Sequence, residues 1–329
     1  MIARFDLAAI DDLKEALPRF AHKPLAHLSY LNRDQIEAYW LDEIARDLAG
    51  KSSIAFASRL SERIDGLVLF DDSPWDTKVV GRRIAVIKHL AEVGGARSSE
   101  VLDDLLDEVI RHAASRGTEC LTCKVQPLHF AAIHALERHG FLLMDTLQDF
   151  LFDFSCTPLE SISIPKRVSG LRVRLAEPQD LAEVLALNEK AFATHFGRYH
   201  SDSKLPPGTG TKVYNQWVLS SFGGWADWIL VAEIDDRIRG YSVWKKASAL
   251  EEKHSFDIAH CNLAGIHPNF FGRGLYTALT IDAMRMAQCF AKHLDGAAHI
   301  SSYPVHRAWL KLGWKIAGVR HSFHKWLQA

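Results

Sequence analysis

Residues Ile258–Met286 read IAHCNLAGIHPNFFGRGLYTALTIDAMRM, and the order of residue types in this stretch decides the fold. IAHCNLAGI predicts a strand that runs into His-Pro. A loop with two glycines, FFGRGLY, follows, and then a helix over YTALTIDAMRMAQCFAKHL. Strand, glycine turn and helix together build an anion site. The first amides of a helix have no partner inside it, they point at the preceding loop, and the helix dipole favours negative charge there. Gly272 and Gly274 expose successive amides and let a phosphate approach where a side chain would obstruct it. Arg273 adds a positive charge. The loop is not a P-loop, since no Lys-Ser/Thr follows the second glycine. Nor is it the dinucleotide fingerprint, which needs a third glycine and a parallel strand with an acidic end.

The same organisation occurs earlier in the chain. Ile54–Phe70 (IAFASRLSERIDGLVLF) and Ile229–Trp244 (ILVAEIDDRIRGYSVW) each read as strand, charged turn and second strand, with Gly66 and Gly240 lying 174 positions apart. Val125–Phe141 (VQPLHFAAIHALERHGF) and Ser302–Trp314 (SYPVHRAWLKLGW) each read as short helix, glycine cap and aromatic, with Gly140 and Gly313 lying 173 apart. Hairpins and helix–glycine turns are common, but two of each in one order at nearly one offset predict a duplication. Ser155–Gly170, with Pro158 and Pro165, reads as the join. The expected divisions are therefore 1–157, a linker at 158–170, and 171–329. Each half alternates strands and helices with antiparallel hairpins. That predicts an α/β (α+β) fold in which a mixed, mostly antiparallel twisted sheet is flanked by helices.

Composition excludes several classes. The chain has 329 residues, enough for two domains, and a formal net charge of −1, which supplies no field for collecting nucleic acid. Asp6, Asp11 and Asp12 interrupt the N-terminal apolar residues, so the start does not read as a signal peptide. No apolar run reaches the length of a membrane span, and the chain reads as cytoplasmic. Five cysteines in a chain of this size do not make a disulfide framework. Cys120 and Cys123 (ECLTCKV) fall on a predicted strand with no second pair at zinc spacing, so no metal is expected.

The stretch IHPNFFGRGLY resembles the pyrophosphate loop of the GNAT acyltransferase superfamily, whose pattern is Val-x-Pro followed by Gln/Arg-x-x-Gly-x-Gly/Ala. Ile266, Pro268, Gly272 and Gly274 match it, while Phe271 replaces Gln or Arg and Tyr276 replaces Gly or Ala. SYPVHRAWLKLGW is similar to the family's Asn-x-Ala-Ala-x-x-x-Tyr-x-x-x-Gly-Phe segment, with Ser302 in place of Asn. SPWDTKVVGRRIAVI (Ser73–Ile87) and Gly197–Gly224 resemble segments of acetyltransferases acting on nucleotide-linked amino sugars, of the TDP-fucosamine acetyltransferase type, which also pair a degenerate with a working half. The resemblance implies two tandem GNAT-like domains and direct transfer of an acetyl group from acetyl-CoA to a primary amine of a small molecule. A longer acyl donor, a different acceptor or a non-catalytic CoA-binding protein are the alternatives. A monomer or homodimer is expected.

On this reading Gly265, Ile266, His267, Phe271, Gly272, Arg273, Gly274, Leu275, Tyr276 and Ser302 hold the cofactor. The attacking amine must first lose a proton, and His260, on the strand before the loop, is the expected base because imidazole titrates near neutrality. Asn262, on the same face, and His200 and Asp202 in RYHSD are expected to contact the acceptor. The family often places a Tyr as acid on the helix after the fifth strand. Trp309 stands there, and an indole N–H is a donor but not an acid at ordinary pH, so either Tyr303 or Tyr276 substitutes or the thiolate, with a pKa of about 8.5, leaves unaided. The first half lacks an equivalent loop. Ser98 or Ser99 is expected to cap its helix and Asp103 and Asp104 to fill the first turn, where their charge repels phosphate. That half is expected to be a structural or substrate-shaping partner, not a second active site.

Overall fold

The computed structural model describes residues 1–50, 52–163 and 168–327. Residues 164–167 of the expected linker lie outside the described residues. In chain order the first half contains β1 (Ile2–Phe5), α1 (Ile10–Ala16), α2 (Arg33–Ala49), β2 (Ser53–Leu60), β3 (Arg63–Asp72), α3 (Pro74–Val80), β4 (Ile84–Glu92), α4 (Ser98–Ser115), β5 (Cys120–Val125), α5 (Phe130–Arg138) and β6 (Leu142–Asp153). The second contains β7 (Arg172–Leu175), α6 (Leu181–Phe192), α7 (Arg198–Ser201), α8 (Thr209–Ser220), β8 (Trp228–Ile234), β9 (Arg237–Lys246), α9 (Ala249–Lys253), β10 (Ile258–Ile266), α10 (Leu275–Ala287), β11 (His293–His299), α11 (Tyr303–Lys311) and β12 (Lys315–Trp326).

The compact units do not follow the expected boundary at 158–170. One comprises Met1–Thr146 with Val319–Ala329, the other Leu147–Gly318. In the first, β1, β2, β3 and β4 pair antiparallel in succession, β4 and β5 pair parallel, and the end of the chain closes the row as β12 pairs antiparallel with β5 from His321↔Val125 to Trp326↔Cys120. In the second, β7, β8, β9 and β10 pair antiparallel, β10 and β11 pair parallel, and β6 pairs antiparallel with β11 from His293↔Asp153 to His299↔Leu147. Each unit thus takes its last strand from the other half of the sequence. Both are mixed, mostly antiparallel sheets flanked by helices.

Strands buried on both faces read as continuous apolar runs, and all of Trp228–Ile234 is buried. In the first unit α4 and α5 cover one face and α1 and α2 the other. In the second, α10 and α11 lie against Ala259, Leu294 and Phe150, while α6 and α8 lie against Val231, Val243 and Leu263. α4 packs by Val101, Leu102, Leu105, Leu106 and Val109, the spacing of a one-sided helix. The repeated glycines both lie where packing leaves no room for a side chain. One on Gly66 would strike Val101 and Leu105 of α4, and one on Gly240 would strike Ile266 of β10 and press on Leu279 of α10. The irregularities repeat as well. Register shifts occur between Ser58 and Arg59 and between Ala232 and Glu233, each pair offset by the same 174 positions.

Candidate active site at a parted pair of strands

β10 and β11 pair in parallel only from Ile258↔His293 to Cys261↔Gly296, although β10 runs on to Ile266 and β11 to His299. Each stays bonded to its outer neighbour, β9 or β6, over that remaining length. The two strands therefore part like a fork with its vertex at Cys261 and Gly296, and their facing backbone groups lose their ladder partners. A bulge at Asn262, where the register shifts between Cys261 and Leu263, increases the local twist at the point of parting. The opening lies at the carboxyl ends of parallel strands, where α/β sheets bind ligands.

The glycine loop stands beside this opening. Gly272 and Gly274 have φ of 74° and 77°, left-handed conformations that suit glycine. Nothing lies within 4 Å of where a Cβ would be on either, and residues 271–274 are all exposed. α10 begins at Leu275 with no side chain capping its first amides, while Leu275 itself is buried and anchors the turn. Phe271 points outward, 62% exposed, and Tyr276 packs into the core beneath α10, its ring centroid 6.3 Å from that of Trp309. Ile266 joins the same core, and the Gly265 Cα approaches the Tyr241 ring too closely for any side chain.

The loop's surroundings are cationic. The His267 N–H donates to the Arg239 carbonyl (2.9 Å), and the His267 Nδ1 accepts from the Asn269 N–H (3.3 Å). Burial, then Lys190 and Arg239, hold the His267 imidazole below its ordinary range. Arg239 and Arg273 both lie 4.9 Å from the Phe270 ring centroid, and the Arg239 Nε is buried without a partner. Arg239 was not among the expected site residues. A signal existed, because the position 174 residues earlier is Asp65, an acid in place of a base.

His260 behaves differently from the expected base. Its Nδ1 lies 2.6 Å from Asp295 and its Nε2 3.3 Å from Glu251. Burial alone would lower its pKa, but the two carboxylates outweigh that and raise it to about 10. It is an imidazolium at neutral pH, with no lone pair for an ammonium proton. Asn262 is exposed at the bulge. Asp202 is buried and accepts from the Lys204 N–H (2.9 Å). The His200 ring presses on Gly210, both its nitrogens are buried without hydrogen bonds, and burial lowers its pKa.

His200 is joined to the fork by two histidines that the sequence did not single out. Ring centroids are 5.6 Å apart for His195 and His200, and 5.9 Å for His195 and His299. His299 ends β11, and its Nδ1 receives the Ser301 N–H (3.2 Å), so in the neutral ring the Nε2 carries the proton. Ser302 precedes α11 and makes no side-chain cap. Tyr303, 63% exposed, lies 6.4 Å from the His306 ring.

The first unit repeats the fork and then closes it. β4 and β5 pair from Ile84↔Cys120 to Ile87↔Cys123 and part, with a bulge at Lys88, again 174 positions before Asn262. Here the Ala21 N–H donates to the Glu92 carbonyl (2.9 Å) and the Gln126 side chain to the Lys23 carbonyl (3.1 Å). His22 stacks on His129 at 4.1 Å, and His129 Nε2 meets Glu92 at 2.7 Å in a fully buried pair. Residues 20–23 thus occupy the space that the second unit leaves open. A cavity of about 330 Å³ remains at the start of α4, but Asp65 and Glu92 line it together with Arg19, Arg63 and Arg97. The expected cap of α4 also differs. The helix begins at Ser98 after an N-cap at Arg97, with Glu100 in the first turn. Asp103 lies a turn further on and binds Arg138 (2.9 Å).

No family model matches the chain. It is 20% identical over 274 residues to the spore coat polysaccharide biosynthesis protein SpsD of Bacillus subtilis (strain 168), a match spanning 81% of this chain and 86% of that protein. Among solved structures it superposes on a GCN5-related N-acetyltransferase from Sphaerobacter thermophilus with a TM-score of 0.64, at 13% identity and covering 100% of this chain and 96% of that one. The tandem GNAT protein from the clavulanic acid biosynthesis pathway gives 0.58 at 12% identity, covering 100% and 99%. The chain has the tandem GNAT fold along its full length. Among the described residues no helix is long and apolar enough to cross a membrane.

Proposed function

We propose that the second unit is an acyl-CoA-dependent N-acyltransferase, an N-acetyltransferase in its simplest form, that transfers acetyl from acetyl-CoA to a primary amine of a small acceptor. The observation that carries this reading is the open fork next to an uncapped helix start. Coenzyme A offers a diphosphate and an extended amide-bearing arm. The exposed backbone at Gly272 and Gly274 and the uncapped start of α10, with Arg239 and Arg273 beside them, suit the diphosphate. The unpaired edge of β10 from Asn262 to Ile266 suits the arm, since it offers the hydrogen bonds that a neighbouring strand would make. Amides on that edge also stand ready to stabilise the oxyanion formed when the amine attacks.

The acceptor enters from the side of α6 and α8, where His195, His200 and His299 stand. Proton transfer from the amine belongs to this group rather than to His260. His195, whose ring centroid lies 5.9 Å from that of His299, is the candidate base that takes the ammonium proton. Tyr303, at the first position of α11, is the candidate acid for the departing sulfur. A nucleotide-linked amino sugar is the acceptor class that the segment resemblances favour, and a relative named for polysaccharide biosynthesis is in keeping with it.

The test is to incubate the protein with acetyl-CoA and a panel of nucleotide-linked amino sugars, following free thiol and the amide product by mass spectrometry. Thiol release that depends on the amine, together with thermal stabilisation by acetyl-CoA, is the expected result. Absence of both stabilisation by acetyl-CoA and amine-dependent thiol release across the panel refutes the proposal.

A further inference from the structure

We infer that Trp309 closes the inner end of the fork and restricts the donor to short acyl groups. This rests on the acyl-transfer reading above and names the substrate class of that same site. The last pair before β10 and β11 part is Cys261↔Gly296. A Cβ on Gly296 would lie 2.8 and 3.1 Å from two carbons of the Trp309 six-membered ring and 3.3 Å from the Cys261 Cβ. The indole therefore lies directly on the vertex, and glycine at 296 is what admits it. Trp309 is 2% exposed and braced on three sides. Trp314 stacks on it at 5.0 Å, Phe150 meets it edge-on at 5.0 Å, and Tyr276 lies at 6.3 Å.

A donor held by its diphosphate at the start of α10 brings its arm along β10 toward this vertex. Carbons beyond the thioester then have two directions. Inward, they meet the braced indole, and close-packed interiors do not yield a chain's width without cost. Outward, they enter the face carrying His195 and His299, where the amine must approach. An acetyl group needs neither space, whereas a butyryl or hexanoyl chain needs one of them.

The test compares kcat/KM for acetyl-, butyryl- and hexanoyl-CoA with one fixed amine, in the wild type and in Trp309→Leu and Trp309→Val. Thermal stabilisation by each thioester is measured in parallel, and melting curves report folding. We expect the wild type to lose about tenfold from acetyl to butyryl and about a hundredfold to hexanoyl, and folded Trp309 variants to recover at least about tenfold in the hexanoyl-to-acetyl ratio. A wild type that accepts hexanoyl-CoA within about threefold of acetyl-CoA overturns the inference. So do folded variants whose ratio is unchanged. If both variants unfold, the wild-type series decides alone. A protein that neither binds nor turns over any of the three thioesters refutes acyl transfer itself and this inference with it, a result distinct from indifference to chain length.

Discussion

Replacing His260 by Gln tests the claim that this histidine is a fixed cation and not a base. In the native protein it lies between Asp295 at 2.6 Å and Glu251 at 3.3 Å, and its pKa stands at about 10 against about 6.5 for a free imidazole. A pKa raised on folding means that the stabilisation is complete below the unfolded value. It then declines as pH rises and is gone above the folded value. At about 1.4 kcal/mol for each pH unit, the gap between 6.5 and about 10 bounds the contribution at about 5 kcal/mol. This is a ceiling, because two carboxylates share the one cation. Urea unfolding at pH 6, 8 and 10 should show the wild type more stable than His260→Gln at pH 6, with the difference shrinking steadily toward pH 10. Between these limits the slope should approach about 1.4 kcal/mol per pH unit. At neutral pH the variant should be destabilised by about 3–5 kcal/mol, since both carboxylates lose their counter-charge. A difference that does not change with pH, or an imidazole titrating near 6.5 by NMR, would refute the reasoning and restore His260 as a candidate base.

Arg239→Glu should raise KM for acetyl-CoA about tenfold or more while leaving kcat within about threefold, the pattern of lost donor binding; an unchanged KM would remove Arg239 from the diphosphate site. Gly274→Ala should cost about 1–2 kcal/mol in stability, because φ of 77° places a Cβ in the left-handed region, and should weaken thermal stabilisation by acetyl-CoA. Thiol titration of the native protein should find Cys156 and Cys289, both exposed, reacting fast. Burial pushes the Cys123 and Cys261 thiols up to about 12; buried Cys123 should react only on unfolding and half-buried Cys261 more slowly than the exposed pair, and modification of Cys261 as fast as theirs would show the vertex to be wet. Truncation after Gly318 should unfold the first unit, because it strips β5 of its antiparallel partner β12, leaving only β4 beside it, and removes Phe323 from the core, a loss of about 3–5 kcal/mol from that side chain alone. A truncated chain with unchanged melting would show that β12 is dispensable.

The amino-acid order by itself determined a great deal here. Glycines at 66 and 240 record two hairpins that each carry a tightly packed helix. The strand, the paired glycines and the helix over 258–286 located the open loop and the start of α10 in the right place. These features are local, and residues a few positions apart suffice to write them.

Only the tertiary structure decided which charges and strands meet. His260 reads as a titratable base until Asp295, on another strand, and Glu251, on a preceding helix, lock it as a cation. His195 and His299 join the site only because α6 ends beside the end of β11, and Trp309 reaches the vertex only because α11 lays it on Gly296. The first fork is closed by residues 20–23, far from β4 and β5 in sequence. The last strand of each unit comes from the other half of the chain, so the compact units divide at 146 and 318 and not at a linker. The physical reason is common to all of these. Local propensity sets each element, but pKa, access and strand partners depend on contacts between residues far apart in the chain, which no local pattern encodes.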